Sequence, residues 1–281
     1  MLRARNEACG KENILQLVSS ATGSEFLLLY NGLLGGCWLA SKWLETRLRS
    51  PGRRDDSLDP ESLALLAGGP ARYADTVIAD LFVSGALVQG EDGRLVARKG
   101  ALATAPGGRA LLAAPAPFAS AEADRLLAIE ANRAIARLRR DGLMLAPDAL
   151  AFMRWAVAAP FIPLFALGLY RQRLESADGG PIGLLGPLLA LTGSLAVIRM
   201  FHIDRRTRGG IAALEAARAK AKTLRAAPGA DEAARAVALF GTGVLVGTAW
   251  EPVHTMRQQG SGAEAGDGGG GDSGGGDGCG D

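Results

Sequence analysis

The chain has 281 residues, with 31 Lys and Arg against 29 Asp and Glu, and 48% of its residues are apolar. That balance leaves no global electrostatic case for nucleic acid. The three cysteines, Cys9, Cys37 and Cys279, are too far apart for metal-ligand spacing or a disulfide framework. The apolar residues gather in three runs, which marks an integral membrane protein.

Residues 1–24 are a mixed polar N-terminal segment. The uncharged run FLLLYNGLLGGCWLAS then predicts a first transmembrane helix over 25–43. Leu34-Gly35-Gly36-Cys37 is similar to a lipoprotein box, but Trp38, Leu39 and Ala40 carry the apolar run past the cysteine. Lys42, Arg47, Arg49, Arg53 and Arg54 follow with only Glu45 opposing them before Asp55. Such an excess beside a span marks the cytosolic side, so the N-terminus is expected outside.

A cytosolic domain is expected over 58–118. Asp59 reads as a helix N-cap with Pro60 at the first helical position and Leu63, Leu65 and Leu66 behind it. Gly68-Gly69 ends that helix and Pro70 opens another, whose Tyr73, Val77, Ile78, Leu81 and Phe82 share one face while Arg72, Asp75 and Asp80 take the other. Leu87–Gln89 and Arg94–Arg98 read as strands around a GEDG turn, and GGRALLAAP as a further short helix. Helix, helix, hairpin, helix is a winged-helix-like order. Over 121–141 an amphipathic helix carries a stripe of Leu127, Ala131, Ala134, Ile135 and Leu138.

Two further apolar runs follow. WAVAAPFIPLFALGLY predicts a second transmembrane helix over 154–171, kinked by Pro160 and Pro163, with Arg154 and Arg171 snorkelling at its ends. The charge-free run from Gly179 to Ile198 is the clearest span of the three and predicts a transmembrane helix over 181–201. Basic residues before the second span and after the third, among them Arg137, Arg139, Arg140, Arg199, Arg205 and Arg206, put the C-terminus in the cytosol. C-terminal helices are expected over 209–257. ALFGTGVLVGTAW, around 238–250, is short and Gly-rich for a fourth span, and whether it crosses stays open at this point. The Gly-rich segment 260–281 is expected to be disordered for want of apolar residues.

The order of SEFLLLYNGLL, LALLAGGPARYADTVIADLFVSGALV, GGPIGLLGPLLALT, RRTRGG, ARAVALFG and the glycine tail resembles a family of uncharacterised bacterial membrane proteins with a Gly-rich, often Gly/Cys-rich, C-terminal tail. The resemblance covers most of the chain and implies a bacterial inner-membrane location. It carries over no activity, ligand or catalytic residue. Here the tail has frequent aspartates and a single cysteine, Cys279.

For chemistry, the only histidines are His202, beside Asp204, and His254. GGPAR lacks the Lys-Ser/Thr of a phosphate-binding loop. The sequence therefore gives no catalytic, cofactor-binding or metal-ligating residue, and no cofactor. The expected fold is mainly α, a multi-pass membrane protein with three transmembrane helices, a small winged-helix-like α/β cytosolic segment and a disordered tail. The expected function is a non-enzymatic, membrane-anchored interaction or scaffold component whose partners are the lipid bilayer and an unidentified protein. The alternative is a membrane-tethered winged-helix DNA-binding regulator. Nucleic acid is the less expected partner, because between Leu58 and Phe118 the acidic residues outnumber the basic ones.

Overall fold

In the computed structural model, which describes residues 23–53, 57–90, 94–177, 185–225 and 228–264, the chain is mainly helical with one two-stranded sheet. The described residues divide into two units. Unit 1 takes residues up to Pro51 together with Leu145–Thr207, and unit 2 takes Gly52–Met144 together with everything from Arg208 onward.

Unit 1 is built from α1 (Gly23–Leu48) and, later in the chain, α5 (Pro147–Ala158), α6 (Phe161–Ala177) and α7 (Leu185–Phe201). The predicted spans over 25–43 and 154–171 fall inside α1 and inside α5 with α6. The break between α5 and α6 has a simple cause. Pro163 has no N–H to give the Ala159 carbonyl, which instead accepts from Ile162 at 3.2 Å in a tighter turn. Taken through that turn, Pro147–Leu174 is, among the described residues, the one helix long and apolar enough to cross a membrane. The sequence ranked the third run first. Its helix is described only from Leu185, as a shorter apolar helix of 17 residues, and the start of that predicted span lies outside the described residues.

α6 and α7 run antiparallel. Gly168 sits against Leu189 and Gly193 against Phe165, while Met153 and Val157 of α5 pack with Ile203 beyond the end of α7. A Cβ at Gly168 would come within 2.7 Å of Leu189 and 3.0 Å of Tyr30, so a larger residue would make these side chains shift. Phe26, Tyr30, Phe161, Leu164, Leu185 and Leu189 form the unit's apolar centre.

Unit 2 begins with α2 (Pro60–Val83), capped by the Asp59 carboxylate, which accepts from the Ser62 amide at 3.1 Å. Gly68 and Gly69 interrupt it with non-helical backbone. Gly69 has φ +69°, a conformation open to glycine and strained for other residues. The expected end of one helix and start of another is therefore present as a sharp break inside α2. Strands β1 (Leu87–Gln89) and β2 (Leu95–Ala97) pair antiparallel with Val88 opposite Val96, and Leu95 also exchanges backbone bonds with Phe118. Helix α3 (Pro106–Leu112) and the long α4 (Ser120–Arg140) follow. The buried side of α4 is Ala123, Leu127, Ala131 and Leu138, as its stripe predicts.

After Thr207 come α8 (Arg208–Lys220), α9 (Ala233–Phe240) and α10 (Glu251–Glu264), with short 3₁₀ turns between them. ALFGTGVLVGTAW is no span. It bends at Gly241, where φ is +95°, and Ala238, Leu239 and Leu245 are buried in unit 2. The expected tail from 260 begins inside a helix, since α10 runs to Glu264. The rest of 260–281 lies outside the described residues.

The RRTRGG stretch has a packing reason. A Cβ on Gly209 would strike the Arg53 carbonyl, and one on Gly210 the Leu143 carbonyl. Arg53 in turn donates its amide to the Gly142 carbonyl at 3.3 Å. These segments of unit 2 adjoin, along the chain, the joints at 51–52, 144–145 and 207–208, and two glycines let three backbones meet there.

Candidate partner groove

In unit 2 the break at Gly68-Gly69 folds the second half of α2 back toward the first. As a result Tyr73, twelve residues after Glu61, donates its hydroxyl to Glu61 Oε2 at 3.1 Å. Glu61 lies in the first turn of α2, where the helix dipole favours a carboxylate. Its Oε1 accepts from the Gly107 amide at 3.0 Å, which ties the start of α3 to α2. A side chain at Gly107 would disturb this clasp, since an added Cβ would lie 2.5 Å from the Tyr73 hydroxyl and 2.8 Å from Glu61 Oε1.

Glu61 is 7% exposed. Burial pushes its pKa up, the hydrogen bonds from Tyr73 and Gly107 work against that, and Asp59 and Asp80 add to the rise. Burial also raises the Tyr73 phenol, and the neighbouring Glu61 raises it further, so it remains a hydroxyl donor.

Beside this clasp lies a groove of about 550 Å³, framed by Asp59, Glu61 and Asp80 from α2 and its cap, Leu102 and Ala103 from the loop before α3, and Arg137 from α4. Leu102 is 93% exposed at the rim. Three carboxylates against one guanidinium, around an apolar wall that includes Val77 and Leu81, make a surface suited to a partner with both apolar and basic groups.

The remaining residues weighed in the sequence are placed as follows. Asp75 is not on a free face: Arg257 of α10 binds it at 2.6 Å and Asp124 of α4 at 2.8 Å, fastening α10 across α2 and α4. Burial works to lower the Arg257 pKa and the two carboxylates more than offset it, so it is raised. Asp80 is exposed, as the helical pattern predicts. The structure does not join His202 to Asp204. The His202 Nδ1 is 3.1 Å from the Ile198 carbonyl, whereas Asp204 accepts from the Arg206 amide and lies 3.7 Å from Arg49. His254 meets the Thr242 hydroxyl at 2.9 Å. Cys37 donates to the Pro160 carbonyl at 3.2 Å inside unit 1. Among the described residues no group of three or more His, Cys, Asp or Glu could hold a metal ion.

Sequence reasoning missed the Glu61, Tyr73 and Gly107 clasp. The signal was present, because a Glu two residues after the N-cap followed by a Tyr just past a Gly-Gly-Pro break is what such a fold-back needs. It also missed the ionic cluster of unit 1. There Glu45 of α1 accepts from Arg199 of α7 at 2.7 Å and from Arg49 at 2.8 Å. Arg199 also donates to Ser41 at 3.1 Å and stacks over Trp38. Compared with family models, curated proteins and solved structures, the chain matches none.

Proposed function

We propose that the chain is a non-enzymatic, membrane-anchored interaction component. In this reading unit 1 crosses the bilayer three times, through α1, through α5 with α6, and through α7, and unit 2 works in the cytosol as a winged-helix-like binding domain. The observation that carries it is where apolar surface is exposed. Among the described residues, seventeen of the twenty-one exposed large apolar side chains belong to unit 1, and the other four are Val88, Leu102, Ile129 and Val246. Leu28, Leu39, Trp155, Ile162 and Phe201 are all more than half exposed, while Ser41, Thr192 and Arg199 are buried. Such a surface is unfavourable against water and ordinary against lipid. The family resemblance in motif order supports the same location.

The basic flanks favour an outside N-terminus and a cytosolic C-terminus. Single-cysteine variants tested with a membrane-impermeant maleimide should label Cys9 in intact cells and Cys279 only after lysis. The protein partner is read to dock in the groove beside Glu61. Capture on the full chain in detergent should yield proteins that Asp80→Lys and Leu102→Asp variants fail to hold. Equal capture by both variants would remove the groove from the account, and salt-dependent binding to duplex DNA through Arg94, Arg98 and Lys99 would replace the protein partner with DNA.

A further inference from the structure

Of the three carboxylates that frame the groove of unit 2, two are engaged. Asp59 accepts from the Ser62 amide, and Glu61 is held by Tyr73 and Gly107. The third, Asp80, has no hydrogen-bond or ion-pair partner among the described residues. Its place in the helix makes this unusual. Asp80 lies in the last turn of α2, where the helix dipole disfavours a carboxylate and favours a cation, and that turn carries no basic residue. The groove walls also push its pKa up, by withdrawing water from the charged form. A local rule broken without compensation inside the chain is expected at a functional site.

The polar side chains around Asp80 are acceptors too. Thr76 and Ser84 stand about one helical turn to either side on the same face, and both line the groove. Each spends its hydroxyl proton on a backbone carbonyl, Thr76 on that of Arg72 at 2.8 Å and Ser84 on that of Leu81 at 3.1 Å. The three side chains therefore offer acceptors and no free donor. A compact positive charge with three donors, a primary ammonium, matches that set, whereas a planar guanidinium is best matched by the two-oxygen fork of one carboxylate. Around Asp80 the lining is apolar, with Val77, Leu81 and the exposed Leu102, which suits a methylene stem. Arg137, the groove's own cation, also borders a smaller hollow with Asp59, Glu61 and Pro106, which puts it on their side.

We propose that this groove receives a lysine side chain of the protein partner, with its ammonium on Asp80, Thr76 and Ser84 and its four-carbon stem along Val77, Leu81 and Leu102. The proposal deepens the interaction reading of unit 2 and rests on it.

The test is selection of random dodecapeptides displayed on phage against the full chain purified in detergent, followed by fluorescence anisotropy of the enriched peptides. These should share a lysine beside aliphatic residues. Replacing that lysine by norleucine, which keeps the stem and removes the charge, should weaken binding about tenfold, the effect of one charge-assisted hydrogen-bonded pair. Asp80→Asn, which keeps the shape of an exposed side chain, should weaken binding to the same extent. In the Asp80→Asn chain the norleucine change should then have no further effect. Enriched peptides without lysine, or lysine peptides that bind the Asp80→Asn chain as tightly as the unaltered one, overturn the lysine site. If Leu102→Asp still weakens such peptides, the groove keeps its place in the interaction reading. Displacement of the peptide by an equal concentration of spermidine also overturns the proposal, because a free polyamine is then the occupant. No enrichment at all removes the groove as a docking site, and the lysine falls with it.

Discussion

The two units resolve the same problem, what to do with charge and apolar surface, in opposite ways. Unit 2 hides Leu63, Leu66, Ile78, Leu87 and Leu111 and leaves most of its charge outside. Unit 1 turns leucines, tryptophans and phenylalanines outward and closes Arg199, Ser41 and Thr192 inside. In the membrane reading the second arrangement is favourable because its outward face meets lipid, and there an inward polar group gains from a partner. The Tyr30 hydroxyl meets Thr192 at 3.0 Å and Arg199 meets Glu45, so polar pairing performs in unit 1 part of what apolar packing performs in unit 2.

The largest expected effect comes from breaking that pairing. Glu45→Ala leaves Arg199 and Arg49 without their shared carboxylate and should destabilise unit 1 by about 3–5 kcal/mol. Thermal unfolding in detergent reads this, and an unchanged melting point would mean that the cluster contributes nothing. Next is the same substitution type on the two surfaces. Leu191→Lys on α7 should oppose insertion by roughly 2.5–3.5 kcal/mol and lower the membrane-bound fraction. Ile129→Lys on α4 should shift stability by less than about 0.5 kcal/mol. Equal effects at the two sites would erase the distinction between the units.

Within unit 2 the glycines come next. Gly210→Ala forces a methyl group into the Leu143 carbonyl and should cost about 1–3 kcal/mol. Gly69→Val places a β-branched residue at φ +69° and should cost a similar ~1–3 kcal/mol. Both losses should appear in unfolding without any ligand present.

The smallest effect is a pH dependence. Glu61 binds its proton more tightly folded than unfolded, so its contribution to stability is most favourable below the ordinary carboxylate pKa of about 4.3. As pH rises through that value toward the raised folded one, that contribution declines, and above the folded pKa it levels off. Glu61→Gln can still accept from Gly107 and hydrogen-bond to Tyr73, and it cannot ionise. The difference in melting point between the variant and the unaltered chain should therefore grow in the variant's favour as pH rises across this window, and a constant difference would count against a raised Glu61 pKa.

Much of this was legible in residue patterns. The Asp59-Pro60 start, the Gly68-Gly69 break, the strands around GEDG and the α4 stripe all rest on local chemistry, and each stands where its pattern places it. What escaped was set by distant residues. Asp75 looked like a solvent-facing charge because its partner, Arg257, is 182 positions away. Glu45 and Arg199 looked like separate flank charges for the same reason. Val244 and Leu245 looked like part of an apolar run because Gly241 can equally continue a helix or turn it, and tertiary packing chose the turn. The Glu61 clasp needed the sense of the fold-back at Gly69, which a φ-permissive residue leaves open.

The most direct test of the central claim is extraction of membranes from cells expressing the full chain. The account predicts that the chain stays in the pellet through high salt and alkaline carbonate and is released by detergent, because unit 1 is embedded through its apolar surface. Release by carbonate alone would contradict it and would make the exposed apolar side chains of unit 1 a surface for another protein.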